Sequence, residues 1–326
     1  MYTKNELYQE AMRTVARRRQ TARANAEDAR AEAEAAIPAL RHAEEEVRVR
    51  GVRCALAGAS GGDRTAAAAA LTKAKQELAA LLASSGRPAD ALEPHFTCKK
   101  CQDTGSFEGH TCECVQKIMR ALRRKEIEML SSLSISSFDT MKLEYYPSSI
   151  DKKLGVNIRV RMSQVIEALK IYAEEFSPTE SESLILMGNA GLGKTHAALA
   201  VAGIVLNKGY DVIYVSSSDF FGKIENARYD FQGDAETLIR TAAMADLFIL
   251  DDLGTEYVTP YFLTTFYSIL NNRIEAHKPT IVTTNITDGA LLEKRYTEKI
   301  ASRLAAFMSF DFIGRDIRSQ KAREES

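Results

Sequence analysis

Long apolar runs are missing from this chain of 326 residues. None approaches the roughly 18–20 residues that span a bilayer, so no membrane role is expected. The opening stretch, MYTKNELYQEAMRTVARRRQ, lacks the roughly 7–15-residue apolar segment of a secretion signal. It is Arg-rich, but Glu6, Glu10 and the acids that follow argue against an organelle transit peptide, and a cytoplasmic protein is the expectation. Seven prolines and 18 glycines are too few for a collagen-like chain, and five cysteines too few for a disulfide-stapled scaffold. An excess of one charge is also absent: 43 basic against 44 acidic residues leave a formal net charge of −1. Any contact with nucleic acid must therefore come from a local surface. What is present is 45% hydrophobic residues, enough for a substantial core and too many for a wholly disordered chain. The length predicts two or more domains.

Residues 1–90 are rich in Ala, Glu and Arg, which favours helix over a thick core. Ala22, Ala26, Ala29, Ala33, Ala36, Leu40, Ala43 and Val47 alternate steps of four and three, one narrow stripe on a helix. Pro38 predicts a kink or restart. The run GASGGD over 58–63 predicts a turn, and a second helix follows over 64–83. This is either an antiparallel helical hairpin or short coiled coil, or a solvated spacer helix. Residues 84–94 read as a linker. Residues 91–125 form a small cysteine-bearing segment with a basic helix, and 126–326 alternate helical patterns with short apolar strands.

Four of the five cysteines fall in one arrangement: Cys98 and Cys101 in C-x-x-C, then Cys112 and Cys114. Paired thiolates at this spacing suit the four corners of a structural zinc site. Two disulfides or incidental thiols are the alternatives, with His95 and His110 as substitute ligands; disulfides fit poorly without a secretion signal. Cys54 sits alone and reads as a small packing residue.

The sharpest motif is GNAGLGKT, formed by Gly188, Asn189, Ala190, Gly191, Leu192, Gly193, Lys194 and Thr195. It fits G-x-x-x-x-G-K-[ST] and lies between an apolar strand and a helical run, the setting of a phosphate-binding loop. Its backbone N–H groups would wrap the phosphates of ATP, Lys194 would reach the β- and γ-phosphates, and Thr195 would hold magnesium (Mg2+). A second strand, LFIL, runs into Asp251 and Asp252: the first suits the magnesium side, the second a base or water-positioning carboxylate. A third strand ends in Asn285, placed to touch a γ-phosphate or simply to cap a helix.

GNAGLGKT, DVIYVSSSDFF, LFILDDLG, PTIVTTN, KIASRLAAF and GRDIRSQ together resemble the AAA+ ATPases of the DnaC/DnaI helicase-loader and IstB branch, over about residues 130–326. The resemblance implies an α/β P-loop core with a parallel sheet of order 5-1-4-3-2, no full lid domain, and ATP bound between self-associating subunits. It implies that Asn285 is the sensor-1 residue and that Arg303 is an arginine finger reaching the neighbouring subunit's site. Arg318 would be a second sensor, with Arg315 nearby. It further implies a slow, switch-like ATPase that loads a replicative DNA helicase onto single-stranded DNA, gripping it through residues 1–125. The alternative is an IstB-like transposition helper. Asp251-Asp252 departs from the Asp-Glu of the wider superfamily but matches this branch. Rivals of other classes are a small-molecule phosphotransferase, disfavoured by the lack of a substrate-covering lid, and a non-enzymatic adaptor.

Single-stranded DNA would need cations beside aromatics. Phe220, Phe221, Lys223, Arg228, Tyr229 and Phe231 share one segment. Phe220 and Ile224 at i and i+4 read first as a buried helix face, so Lys223, Arg228 and Tyr229 are the contact candidates. The basic run at 120–125 is either a second phosphate-binding surface or a solvated helix face.

Overall fold

The computed structural model describes residues 1–60, 63–130, 135–152, 154–229 and 235–324. The chain divides into two compact units: Glu10–Val115, and Met1–Gln9 together with Gln116–Ser326.

The unit of residues 10–115 is built on α1 (Lys4–Ala36), α2 (Leu40–Ser60) and α3 (Arg64–Ser84). Helix α1 stops two residues before Pro38, which has no N–H to continue the helix and disfavours helical backbone in the residue before it. Ala22, Ala26, Ala33 and Leu40 are buried as their spacing predicts. Ala36 is exposed, contrary to that spacing, and Ile37 is buried instead. The stripe assumed one unbroken helix; the break at Pro38 shifts its phase, and Ile37 joins Leu40, Leu82 and Leu92 in a small core. Helices α2 and α3 pack on each other as a hairpin. Asp63 caps α3 by accepting from the N–H groups of Thr65 and Ala66, both at 3.1 Å. Gly61 and Gly62 of the expected turn lie outside the described residues. A two-stranded hairpin, β1 (Ser106–Phe107) and β2 (His110–Thr111), follows in the cysteine segment.

The second unit takes in most of α4 (Glu113–Leu130), then α5 (Ile158–Glu175), β3 (Leu184–Met187), α6 (Lys194–Asn207), β4 (Val212–Ser216) and α7 (Ser217–Tyr229). It continues with α8 (Ala235–Met244), β5 (Leu247–Leu253), α9 (Pro260–Glu275), β6 (Thr280–Thr284), α10 (Gly289–Tyr296), α11 (Glu298–Ala305), β7 (Met308–Asp311) and α12 (Ile317–Glu324). Five strands make one parallel sheet in the order β4-β5-β6-β3-β7. Counted from β3 this is 5-1-4-3-2, as expected. The inner strands β3 and β5 carry continuous apolar runs because both faces of the sheet are covered. Helices α5 and α6 cover one face through Leu169, Ala198 and Val201. On the other, Phe221, Phe262, Phe266, Tyr296 and Leu304 from α7, α9, α10 and α11 form a second core. Among the described residues one short helix follows β7, and no helix is long and apolar enough to cross a membrane.

Within the basic run at 120–125, Arg123 is not a free cation. Arg123 is 2% exposed and donates Nε and Nη2 to Asp211 Oδ1 at 3.0 and 2.9 Å, and Nη1 to Glu126 at 2.5 Å. Arg124 pairs with Glu128 at 3.3 Å. Arg123 is a structural cation: a buried guanidinium holds its charge only beside carboxylates, and these leave it none to offer phosphate.

Candidate functional site: a phosphate-binding loop beside an acidic strand end

Parallel strands that end together put their terminal residues in one crevice, where ligands of such sheets bind. Here the loop of residues 188–195 leaves β3 and enters α6, while Asp251 and Asp252 lie near the end of β5 and Asn285 follows β6. A cavity of about 490 Å³ is lined by Ala190, Gly191, Leu192, Gly193, Lys194, Thr195, Asp251, Asp252, Asn285 and Arg318. The backbone of the loop explains its glycines. Gly191 and Gly193 have φ of 76° and 91°, and a side chain at Gly188 would collide with the Phe312 carbonyl.

Lys194 Nζ donates to the carbonyls of Gly188 (2.6 Å) and Asn189 (2.8 Å) and to Asn285 Oδ1 (2.7 Å). Burial lowers its pKa to about 8, against the opposing pull of Asp252 and Asp251. Asn285 Nδ2 donates to Asp252 Oδ1 at 3.0 Å, so one amide bridges the lysine and the second acid. Asp251 is held by three hydroxyls: Thr195 at 3.0 Å, Tyr214 at 2.7 Å and Thr283 at 2.6 Å. Asp252 sits at φ 57°, in a bulge where β5 advances three residues against two in β6. Its N–H donates to Thr283 Oγ1 at 2.8 Å. Burial, reinforced by Asp251, raises the Asp252 pKa.

This donor set fits a nucleoside triphosphate with a divalent cation. Hard oxygen donors, the Thr195 hydroxyl and the Asp251 carboxylate, stand together as Mg2+ requires. An ammonium beside a turn of open N–H groups at a helix N-terminus suits phosphate.

Arg303 is not in the cavity of its own chain. On α11 it stacks 4.3 Å from the ring centre of Tyr267 and donates to Tyr267 Oη (2.8 Å) and Asn271 Oδ1 (2.6 Å). Arg315 and Arg318 are both exposed, and of the two Arg318 lines the cavity. Phe220 is buried with its ring tilted against Phe248, and Phe221 edge-on against Phe262 and Phe266, a packing role. Lys223 and Arg228 are exposed on α7, Arg228 lying 4.6 Å over the Tyr261 ring. The side chain of Tyr229 and the whole of Phe231 lie outside the described residues.

Three contributors escaped the sequence pattern. Tyr214 and Thr283 orient Asp251, and Tyr146 donates to the Leu192 carbonyl at 2.8 Å, bracing the loop from below. A hydroxyl in an otherwise apolar strand was the available signal for Tyr214, whereas Thr283 is one of three threonines in β6. Tyr146 lies 46 residues upstream of its partner and gave none.

The four cysteines do converge. Their sulfurs lie within 4.8 Å of one another, with Cys98–Cys112 at 3.8 Å and Cys101–Cys114 at 3.5 Å. A tetrahedron with arms of about 2.3 Å has edges of roughly 3.8 Å, so the cluster is compatible with zinc (Zn2+). Buried Asp103 shapes the knuckle by accepting from the N–H groups of Thr97 (2.7 Å) and Cys98 (2.9 Å). Burial alone would raise the Cys101 pKa, but the Gly105 N–H and the neighbouring thiols bring it to about 6. His95 and His110 are exposed and stand outside the cluster, which corrects their place as substitute ligands. The thiols are not disulfide-bonded.

A family model described as IstB-like ATP binding protein matches residues 167–302. The phage-like element PBSX protein XkdC of Bacillus subtilis (strain 168) is 27% identical over 238 residues, 67% of this chain and 82% of the relative. The replicative helicase loader DnaC of Escherichia coli (strain K12) is 26% identical over 132 residues, 40% of this chain and 54% of the relative. The match thus spans about half of that loader. A crystal structure of the DnaC helicase loader superposes with a TM-score of 0.44 at 22% identity, over 55% of this chain and 98% of that one. The loop, the acids and the sheet order above accompany this match, and over residues 167–302 the chain is similar to the DnaC/IstB-like AAA+ ATP-binding proteins.

Proposed function

We propose that this protein is an ATP-dependent loader of a replicative DNA helicase, acting in DNA replication on single-stranded DNA. The observation that carries this reading is the division of parts. Lys194, Asp251, Asp252 and Asn285 share one cavity, while Arg303 is hydrogen-bonded elsewhere, to Tyr267 and Asn271, where a second copy could receive it. Self-association would bring that guanidinium to the neighbour's γ-phosphate, and stabilising the charge on a transferring phosphoryl group is what an arginine does there.

In this reading Lys194 and the loop N–H groups neutralise the phosphates, and Thr195 and Asp251 hold Mg2+. The cation supplies Lewis-acid polarisation of the phosphoryl oxygens. Asp252, its pKa raised toward the working range, orients the attacking water and takes its proton, with Asn285 fixing its carboxylate. Arg318 adds positive charge at the open side of the cavity. Aspartate stands one methylene further from the water than glutamate would, in keeping with a slow switch. Lys223, Arg228 and Tyr229 are the proposed DNA contacts, and the helical and zinc-bearing residues 1–125 the grip on the helicase.

The name of the DnaC relative supports the loader. The description of the family model supports a second reading, a transposition helper of IstB type. Co-purification from the host with ATP and with ADP separates them. ATP-dependent recovery of the replicative helicase is expected; recovery of a transposase and no helicase would establish the second reading instead.

A further inference from the structure

One buried carboxylate near the cavity is unused by the reaction described above. Glu256 is 4% exposed and lies in the turn after β5, four residues beyond Asp252. Its Oε2 accepts from the Gly254 N–H of its own turn (3.0 Å) and from Ser217 Oγ at the start of α7 (2.7 Å). Its Oε1 accepts from Tyr296 Oη at the end of α10 (2.5 Å) and faces Arg295 Nη2 at 3.5 Å. Arg295 Nη2 also donates to the Glu256 carbonyl at 2.7 Å. Four donors from three separate elements thus converge on one side chain.

The placement of these donors gives the contact its meaning. Asp252 holds a left-handed backbone at φ 57°, costly for a residue with a Cβ, so the surroundings must enforce it. Thr283 fixes its N–H, Thr255 Oγ1 fixes its carbonyl at 2.9 Å, and Glu256 fixes the next turn through Gly254. Ser217 directly follows Ser216, which is paired in register with Asp251. Tyr296 is fully buried against Phe262 and Phe266 and ends the helix leading through Thr297 into α11, which bears Arg303.

We propose that Glu256 is a positioning residue for ATP hydrolysis: its carboxylate clamps the turn that presents Asp252 and ties it to the helix pair carrying Arg303. The proposal rests on the roles given to Asp252 and Arg303 above. A change at the water side of one subunit's cavity would pass by this clamp to the arginine that the same subunit presents to its neighbour. Glu256 itself does not line the cavity.

The test is steady-state hydrolysis by the full-length protein with single-stranded DNA, beside equilibrium titration of a fluorescent ATP. Glu256→Gln keeps the shape but turns an N–H toward one of the two donor pairs. It is expected to lower kcat at least about tenfold with KM and ATP affinity within about twofold. Tyr296→Phe is expected to lower kcat severalfold, and combining it with Glu256→Gln to cost no more than Glu256→Gln alone, because the two act as a unit. Should Glu256→Gln fail to fold, Tyr296→Phe and Ser217→Ala, which each remove one donor and no charge, give the same readout. Asp252→Asn distinguishes the two layers. If it abolishes hydrolysis while the Glu256, Tyr296 and Ser217 variants keep the parent kcat, the clamp is refuted and the ATPase reading stands. Parallel loss of ATP affinity, thermal midpoint and kcat would mark a merely structural carboxylate and also overturn the proposal. If the parent protein and Asp252→Asn are equally inactive, the ATPase reading falls and takes the clamp with it.

Discussion

Raising the pH from 7 to 9 should weaken ATP binding about tenfold, and Lys194 is the reason. Burial among the loop carbonyls brings its pKa down to about 8, even with Asp252 and Asp251 nearby. The phosphates add negative charge at the same nitrogen and hold the ammonium protonated in the complex. At pH 7 about nine in ten free molecules carry the proton, and at pH 9 about one in ten, so the higher pH requires a proton to be taken up on binding. Affinity then falls toward one decade per pH unit above 8, about 1.4 kcal/mol for each. Titration calorimetry at pH 9 in two buffers of different ionisation enthalpy should count close to one proton. Lys194→Arg should flatten the profile, since a guanidinium does not deprotonate in this range. The stability of the ATP-free protein should move the other way. Lys194 has a folded pKa below its unfolded value of 10.5, so between about pH 8 and 10.5 the unfolded chain binds more protons and stability rises with pH. An affinity that is flat from pH 7 to 9, with no proton uptake, would refute the assignment of Lys194 as the phosphate ligand.

Arg123→Met should cost about 3–5 kcal/mol by stranding Asp211 and Glu126, read by urea denaturation, yet leave DNA affinity unchanged. Lys223→Ala and Arg228→Ala should instead weaken single-stranded DNA binding and each reduce its salt dependence by about one counterion, with stability nearly intact. Arg303→Ala should leave ATP binding unaltered and remove DNA-stimulated hydrolysis; parent-like turnover would reject the finger. Metal analysis should find one zinc per chain, and Cys101→Ser should release it and loosen residues 95–115 to proteolysis, with ATP affinity preserved; a metal-free parent that resists proteolysis equally would contradict the site.

Local chemistry was enough for whatever depends on neighbours in the chain. The loop of residues 188–195 needs glycine where φ is positive and a lysine at the helix start, so its motif announces it. The cysteine pairs carry their spacing with them, and apolar runs ending in acid or amide mark strands whose tips meet once the sheet is parallel. The order 5-1-4-3-2 followed from the resemblance those stretches carry. Tertiary structure decided whatever depends on which side chains meet across long separations. Arg123 looked like any cation in a basic helix until Asp211, 88 residues later, arrived beside it. Phe221 resolved into core because α9 supplies rings to pack on, and Phe220 because β5 supplies Phe248. Tyr214 and Thr283 reach Asp251, and Ser217, Arg295 and Tyr296 reach Glu256, only across strand and helix boundaries. A hydrogen bond exists over a few ångströms and says nothing in either partner's local sequence. Motifs therefore name the groups that face the nucleotide, while folding alone selects the groups that hold those in place.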